Sequence, residues 1–338
     1  MSQNFEIVIH TSNPRINGIE GRVSYFGGVG GTQFYDGVRA QRGVVTIAGS
    51  RKRISADNLF ITKNSTYLKA VSKSMLLCYF KFGAFEILAL DARVDDLSCK
   101  VPELVQNFKA SPKYLDKSFA IPALEQGVES SEVAMTSAMQ LVLGASDPIL
   151  EFDYAWRAFN RLAGYKSGKA QDFEMLKYIR REINSSPERF PRAMAYAATV
   201  DQAFLEDRWI IAMINNNIPR ASKNEAKRVV EFLGGFDDYR VCGALAGKAS
   251  CKKKILKDAG LWEGTIDRLD NVAESGLKKD ADVLRLLILK YCYYLRNKYF
   301  HGERWPSEFI FSETANAQEL GLMAKPLTLL CYDLLEAL

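Results

Sequence analysis

Residues 281–300 read ADVLRLLILKYCYYLRNKYF. The run is apolar nearly all round, and its charges are confined to Asp282, Arg285, Lys290, Arg296 and Lys298. A helix with no distinct polar face is one that other helices surround, so this stretch predicts the central helix of a bundle. The sequence around it keeps the same period. Phe152, Trp156, Phe159 and Ala163 recur at steps of four, three and four, which is one helical face, and Gly164 follows as the expected stop. Residues 173–183 and 193–214 continue in that style. Ser222 and Glu225 make a capping box ahead of Val229, Val230, Phe232 and Leu233, and Gly234-Gly235 ends that helix. A last helix over 319–338 contains Pro326, where it is expected to kink or divide.

The other end of the chain reads differently. Short β-branched or aromatic runs at 5–10, 22–26, 43–48, 58–62, 75–82 and 85–90, bounded by Gly, Asn and Asp, predict strands. One short helix is expected near 66–73. Prolines 102, 112 and 122 then interrupt weakly patterned sequence. The fold class that follows is α+β: a small β-rich N-terminal domain over 1–100, a connector with some helix over 101–145, and a mainly α-helical domain over 146–338.

At 338 residues, 48% hydrophobic and 25% charged, the chain has the composition of a folded protein of about two domains. The six cysteines contain no CxxC pair, which excludes zinc-finger and thioredoxin-like spacings. Two histidines, His10 and His301, are too few for a multi-histidine metal site. The first residues lack the pattern of a signal peptide, and no stretch approaches the roughly 18 apolar residues that cross a bilayer. A cytoplasmic protein with no membrane association and no cofactor is therefore expected. The net charge of +5 lies entirely within residues 1–100, where 13 Lys and Arg face 8 Asp and Glu. That excess suits mild attraction to a polyanion, below the basic density of a dedicated DNA-binding domain.

The residues that carry chemistry stand at the end of the apolar run: Arg296-Asn297-Lys298-Tyr299-Phe300-His301-Gly302. Arginine is always charged and its fork of donors fits phosphate oxygens, while histidine exchanges a proton near neutral pH. Together they suit phosphodiester chemistry. Five residues of straight helix set the two side chains about 140° apart. Convergence then needs the helix to end at Gly302, or a counterpart across a twofold interface. Taken only as local structure, Arg296 and Lys298 are helix C-terminal cations, worth about 0.3–1 kcal/mol each against the dipole, with His301 as a cap.

This segment resembles the Arg-x4-His signature of the HEPN superfamily, and the Asn after Arg and the Gly after His are similar to its Apea-like branch. The upstream helix DYAWRAFNRLAGY, residues 153–165, resembles the aromatic-rich first helix of that branch through Trp156, Phe159, Asn160 and Leu162. The resemblance covers roughly 147–338 and makes the helical domain HEPN-like. It implies a metal-independent endoribonuclease, often part of bacterial defence or toxin systems, acting as a homodimer on RNA, with tRNA among the candidates. In it the RNA 2′-hydroxyl attacks the adjacent phosphorus, His301 moves the proton, Arg296 stabilises phosphoryl charge, and Asn297 orients the histidine or a phosphate. The alternative is a non-catalytic HEPN-type module that binds nucleotide, RNA or protein, since many members of the superfamily bind without cleaving.

Weaker candidates surround this site. Asn160 is the polar residue of the first helix best suited to reach the Arg–His pair, and Asp153 and Arg157 are spaced to pair with each other. Lys298, the run Lys252-Lys253-Lys254 and Arg51-Lys52-Arg53 are candidate phosphate contacts, against the plainer reading of solvated faces. Residues 27–32, GGVGGT, lack the Lys-Ser/Thr ending of a P-loop and read as a turn. His10 ends a strand and reads as structural, and Trp305 is either a stacking platform or a loop anchor. A regulatory partner or ligand is expected at the N-terminal domain.

Overall fold

A computed structural model of the chain describes residues 2–27, 33–52, 59–62, 65–95, 97–115, 119–125, 128–145, 148–218, 224–300 and 315–338. Its first part is a six-stranded antiparallel sheet in the order β2-β3-β4-β1-β5-β6. The strands are β1 (Gln3–Thr11), β2 (Ile19–Gly27), β3 (Gln33–Gln41), β4 (Val44–Arg51), β5 (Ile87–Val94) and β6 (Leu97–Ser98). Alternation sets which face is covered. In β1, Phe5, Ile7, Ile9 and Thr11 are buried while Asn4, Glu6 and His10 are exposed. Ile7 lies opposite Ile47 on one side and Ala92 on the other, so the buried face is continuous across the middle strands. β3 turns into β4 through Arg42 and Gly43, both at positive φ (48° and 81°), a two-residue turn whose twist matches that of paired strands.

Helices α1 (Thr66–Phe82), α2 (Val128–Ala145) and α3 (Pro148–Ser167) complete this part, with α1 and α2 against the sheet and α3 against α2. The run 75–82, expected as a strand, is the second half of α1. Ser65 caps that helix by accepting from the Leu68 N–H, and Ala70, Val71, Ser74, Met75, Cys78 and Tyr79 bury one face at steps of three and four. A short aromatic run satisfies either period, and packing on the sheet selects the helical one. Residues 59–62 form a turn and bend, not the expected strand, and β3 forms where the sequence has no apolar run to announce it. Trp156, Phe159, Leu162 and Ala163 are buried on α3 as their spacing predicts. The helix passes Gly164 and stops before Gly168, whose φ of 64° is the left-handed conformation that ends helices.

The remaining helices are α4 (Asp172–Ser185), α5 (Pro191–Thr199), α6 (Gln202–Glu206), α7 (Ile210–Asn217), α8 (Glu225–Leu233), α9 (Tyr239–Lys248), α10 (Lys253–Asp258) and α11 (Trp262–Ser275). They are followed by α12 (Asp280–Leu284), a π-helical stretch (Arg285–Cys292), α13 (Tyr293–Phe300) and α14 (Ala315–Glu336). The sequence 193–214 is therefore three short helices. Leu284, Leu286, Leu287, Ile288, Tyr291, Cys292, Tyr294 and Leu295 are all but sealed from solvent, so the run from 281 is buried as its composition predicts. Gly234 ends α8 as expected, whereas Ser222 of the capping box lies outside the described residues and Asn224 precedes the helix at a φ of 60°. Pro326 sits inside α14 without dividing it.

The chain is α+β with a β-rich N-terminal part. It forms two compact units, residues 1–168 with 334–338, and residues 169–333. The compositional border at 146 and the unit border at 168 differ by the length of α3, which packs on α2.

Candidate functional site

Arg296 and Asn297 stand on α13, at the end of the buried helical run. Both are half-buried, and the Arg296 guanidinium donates to Asn297 Oδ1 at 3.0 Å. A carboxylate oxygen of Asp172, the first residue of α4, lies 3.4 Å from Arg296 Nη1. The arginine side chain retains 24% exposure, so solvent reaches it. Lys298 is half-buried on the same helix. His301, Gly302 and Trp305 lie outside the described residues, as do residues 28–32 and Arg53.

The other predicted contacts separate. Lys252 is 2% exposed, with its ammonium 2.8 Å from both Glu225 Oε1 and the Ile218 carbonyl. A buried, paired lysine of this kind joins elements and does not present itself to RNA. Lys253 and Lys254 are exposed on α10, and the Lys253 ammonium stands 5.5 Å from the centre of the Trp262 ring. Asn160 is half-buried on α3 and belongs to the unit of residues 1–168, whereas Arg296 belongs to the unit of residues 169–333. Asp153 and Arg157 pair at 2.7 Å as their spacing predicts. Arg51 is engaged by the bidentate Asp36 carboxylate and lies 3.3 Å from the centre of the Tyr25 ring, so it serves the sheet. His10 is exposed on β1 beside Val44 and Ala89.

A cleft that no sequence motif announces precedes Arg296 on the same helical run. It has a volume of about 620 Å³ and takes its walls from α4, the end of α7, α8 and the π-helical stretch. Five cations line it, Lys177, Arg180, Arg228, Arg285 and Lys290, against one carboxylate, Glu231. Arg285 is paired with Asp282 at 2.6 Å. Lys177, Arg180, Arg228 and Lys290 have no ion pair among the described residues. Burial pulls the Lys290 ammonium below the ordinary lysine value, and the positive charges of Arg180 and Arg285 act in the same direction.

Backbone geometry explains how two of these cations meet. In a π-helix each N–H bonds to the carbonyl five residues back, so Arg285 and Lys290 stand one turn apart and both line the cleft. Straight α-helix would set them about 140° apart. The signal available in the sequence was the pair of charges interrupting an apolar helix, joined by Lys177 and Arg180 in a polar stripe of α4.

Fold and site define an α+β protein whose helical unit carries a cationic cleft on the same helical run as Arg296. No protein-family model, curated protein or solved structure matches the chain. Among the described residues no helix is long and apolar enough to cross a membrane, and no group of three or more His, Cys, Asp or Glu is placed to hold a metal ion.

Proposed function

We propose that the chain is a metal-independent endoribonuclease of HEPN type, in which Arg296 and His301 act on an RNA phosphodiester. The observation that carries this reading is the cleft in which four of five lining cations have no ion pair among the described residues, on the helical run that carries Arg296. A phosphate backbone is the ligand that repays several uncompensated cations in a row. In the proposed step the 2′-oxygen bonds to phosphorus, the phosphorus–5′-oxygen bond breaks, and a 2′,3′-cyclic phosphate and a 5′-hydroxyl result. His301 transfers the proton, and Arg296 balances charge on the non-bridging oxygens. A phosphoryl oxygen competes with Asp172 for the guanidinium, whose side chain keeps 24% exposure. A homodimer and a role in bacterial defence belong to the same reading.

Incubation of total RNA and a tRNA pool with the protein in EDTA tests it. Cleavage by the wild type and its loss in both Arg296→Ala and His301→Ala is the expected result. Equal cleavage by all three overturns the assignment of these residues. No cleavage by any of them favours the non-catalytic binding module.

A further inference from the structure

The cleft holds more donors than the protein satisfies. Asn217 Nδ2 and Arg285 Nε are buried and have no hydrogen-bond partner among the described residues, and both side chains belong to its wall. A buried donor without an acceptor costs about 1–3 kcal/mol, and two such donors share this wall with Lys290, which has no ion pair among the described residues. The Arg285 guanidinium already gives Nη1 to Asp282 and Nη2 to the Gly235 carbonyl, which fixes the orientation of the remaining Nε. Between these polar atoms the wall is apolar, with Phe232, Phe236, Leu289 and Tyr293. The Lys290 ammonium stands 5.5 Å from the centre of the Phe232 ring, and the Arg285 guanidinium 5.3 Å from that of Phe236. Fixed donors on an apolar, aromatic wall are the composition of a pocket for a small organic anion.

We propose that this cleft is a phosphate-ester site, in which Lys290, Arg285 Nε and Asn217 Nδ2 take the phosphoryl oxygens, Arg180 and Lys177 add charge, and the aromatic wall receives the nucleoside. Glu231 at the cleft disfavours a second anionic group on its side. Such binding requires neither Arg296 nor His301, so it stands whether or not the chain cuts RNA. The phosphate ester comes either from a free nucleotide or from a single-stranded RNA, and both present the same group to the same donors.

Titrations of the full chain with 5′-AMP and with a fluorescent 2′-O-methyl RNA oligonucleotide, which cannot undergo 2′-hydroxyl attack, separate the two. Wild type is expected to bind at least one of them. Lys290→Met, which keeps the stem and removes the charge, and Arg180→Ala, at an exposed position, are each expected to weaken binding at least about tenfold. Lys109→Ala, on an exposed pair outside the cleft, is expected to leave it unchanged. Competition between 5′-AMP and the oligonucleotide assigns the site to the phosphate of either source. Sensitivity to Lys290→Met for the oligonucleotide alone assigns it to the RNA backbone. Binding of neither probe, or equal binding by wild type, Lys290→Met and Arg180→Ala, overturns the proposal.

Discussion

Lys73 on α1 is 1% exposed, and its ammonium donates to the backbone and hydroxyl oxygens of Ser24, with no carboxylate of the described residues in contact. Burial lowers it to about 8 from the ordinary 10.5. The unfolded chain therefore binds the extra proton between those values, and stability from this group rises with pH above about 8, having been fully reduced below it. Tyr67, pushed up to about 12, acts in the opposite sense above pH 10, because the folded state keeps a proton that the unfolded state loses. Between pH 8 and 10 the stability of the wild type, read from denaturant midpoints, should therefore gain about 2 kcal/mol relative to Lys73→Met, while the buried thiols of Cys78 and Cys242, pushed up to about 12 and about 11, pull both proteins the other way. Near the proposed site, Asp172→Asn removes the carboxylate beside Arg296. A half-exposed pair is worth about 0–1 kcal/mol, so a gain in RNA affinity of no more than about fivefold is expected in anisotropy titrations. At this scale the sequence showed Arg296 and the charges at 285 and 290 plainly. It did not show that Lys252 is sealed against Glu225, because three lysines in a row look alike until the fold buries one of them.

Elements were legible where one period dominated. The buried run from 281 and the aromatic face of α3 followed from spacing alone, whereas 75–82 satisfied strand and helix equally until the sheet chose. The π-helical stretch carries no propensity signature, and with it the alignment of Arg285 and Lys290 stayed hidden. Arg240 shows what ties the short helices of the second unit together. It is 1% exposed and bonds Asp238 and Asp280, together with the carbonyls of Ala197 and Val200 at the end of α5. Removing one partner of a buried pair leaves the other charge uncompensated and costs about 3–5 kcal/mol. Arg240→Ala is expected to lower the melting temperature sharply by calorimetry, while Arg157→Ala, on an exposed pair, leaves it within a degree or two.

The whole chain enters its second unit after residue 168 and returns at the last turn of α14, where residues 334–338 join the first unit. Leu334 and Leu335 are buried there, and Lys166 donates its ammonium to the Ala337 carbonyl. At about 1.5–3 kcal/mol for each leucine, deletion of 334–338 should destabilise the first unit by about 3–6 kcal/mol. Hydrogen exchange should accordingly quicken more within 1–168 than within 169–333. Composition alone placed the border at 146, because the return of a terminal helix leaves no mark in local sequence. At this scale charge also matters, since the four cations of the cleft without an ion pair among the described residues predict RNA binding that weakens with salt at a log–log slope of about −3. The central claim is attack by the RNA's own 2′-hydroxyl, and an oligonucleotide with a single 2′-deoxy nucleotide at the cleaved position tests it most directly. Cleavage of the all-RNA strand to a 2′,3′-cyclic phosphate, and none at the deoxy position, is the predicted result. Cleavage at the deoxy position, or a 3′-hydroxyl product from either strand, would contradict it.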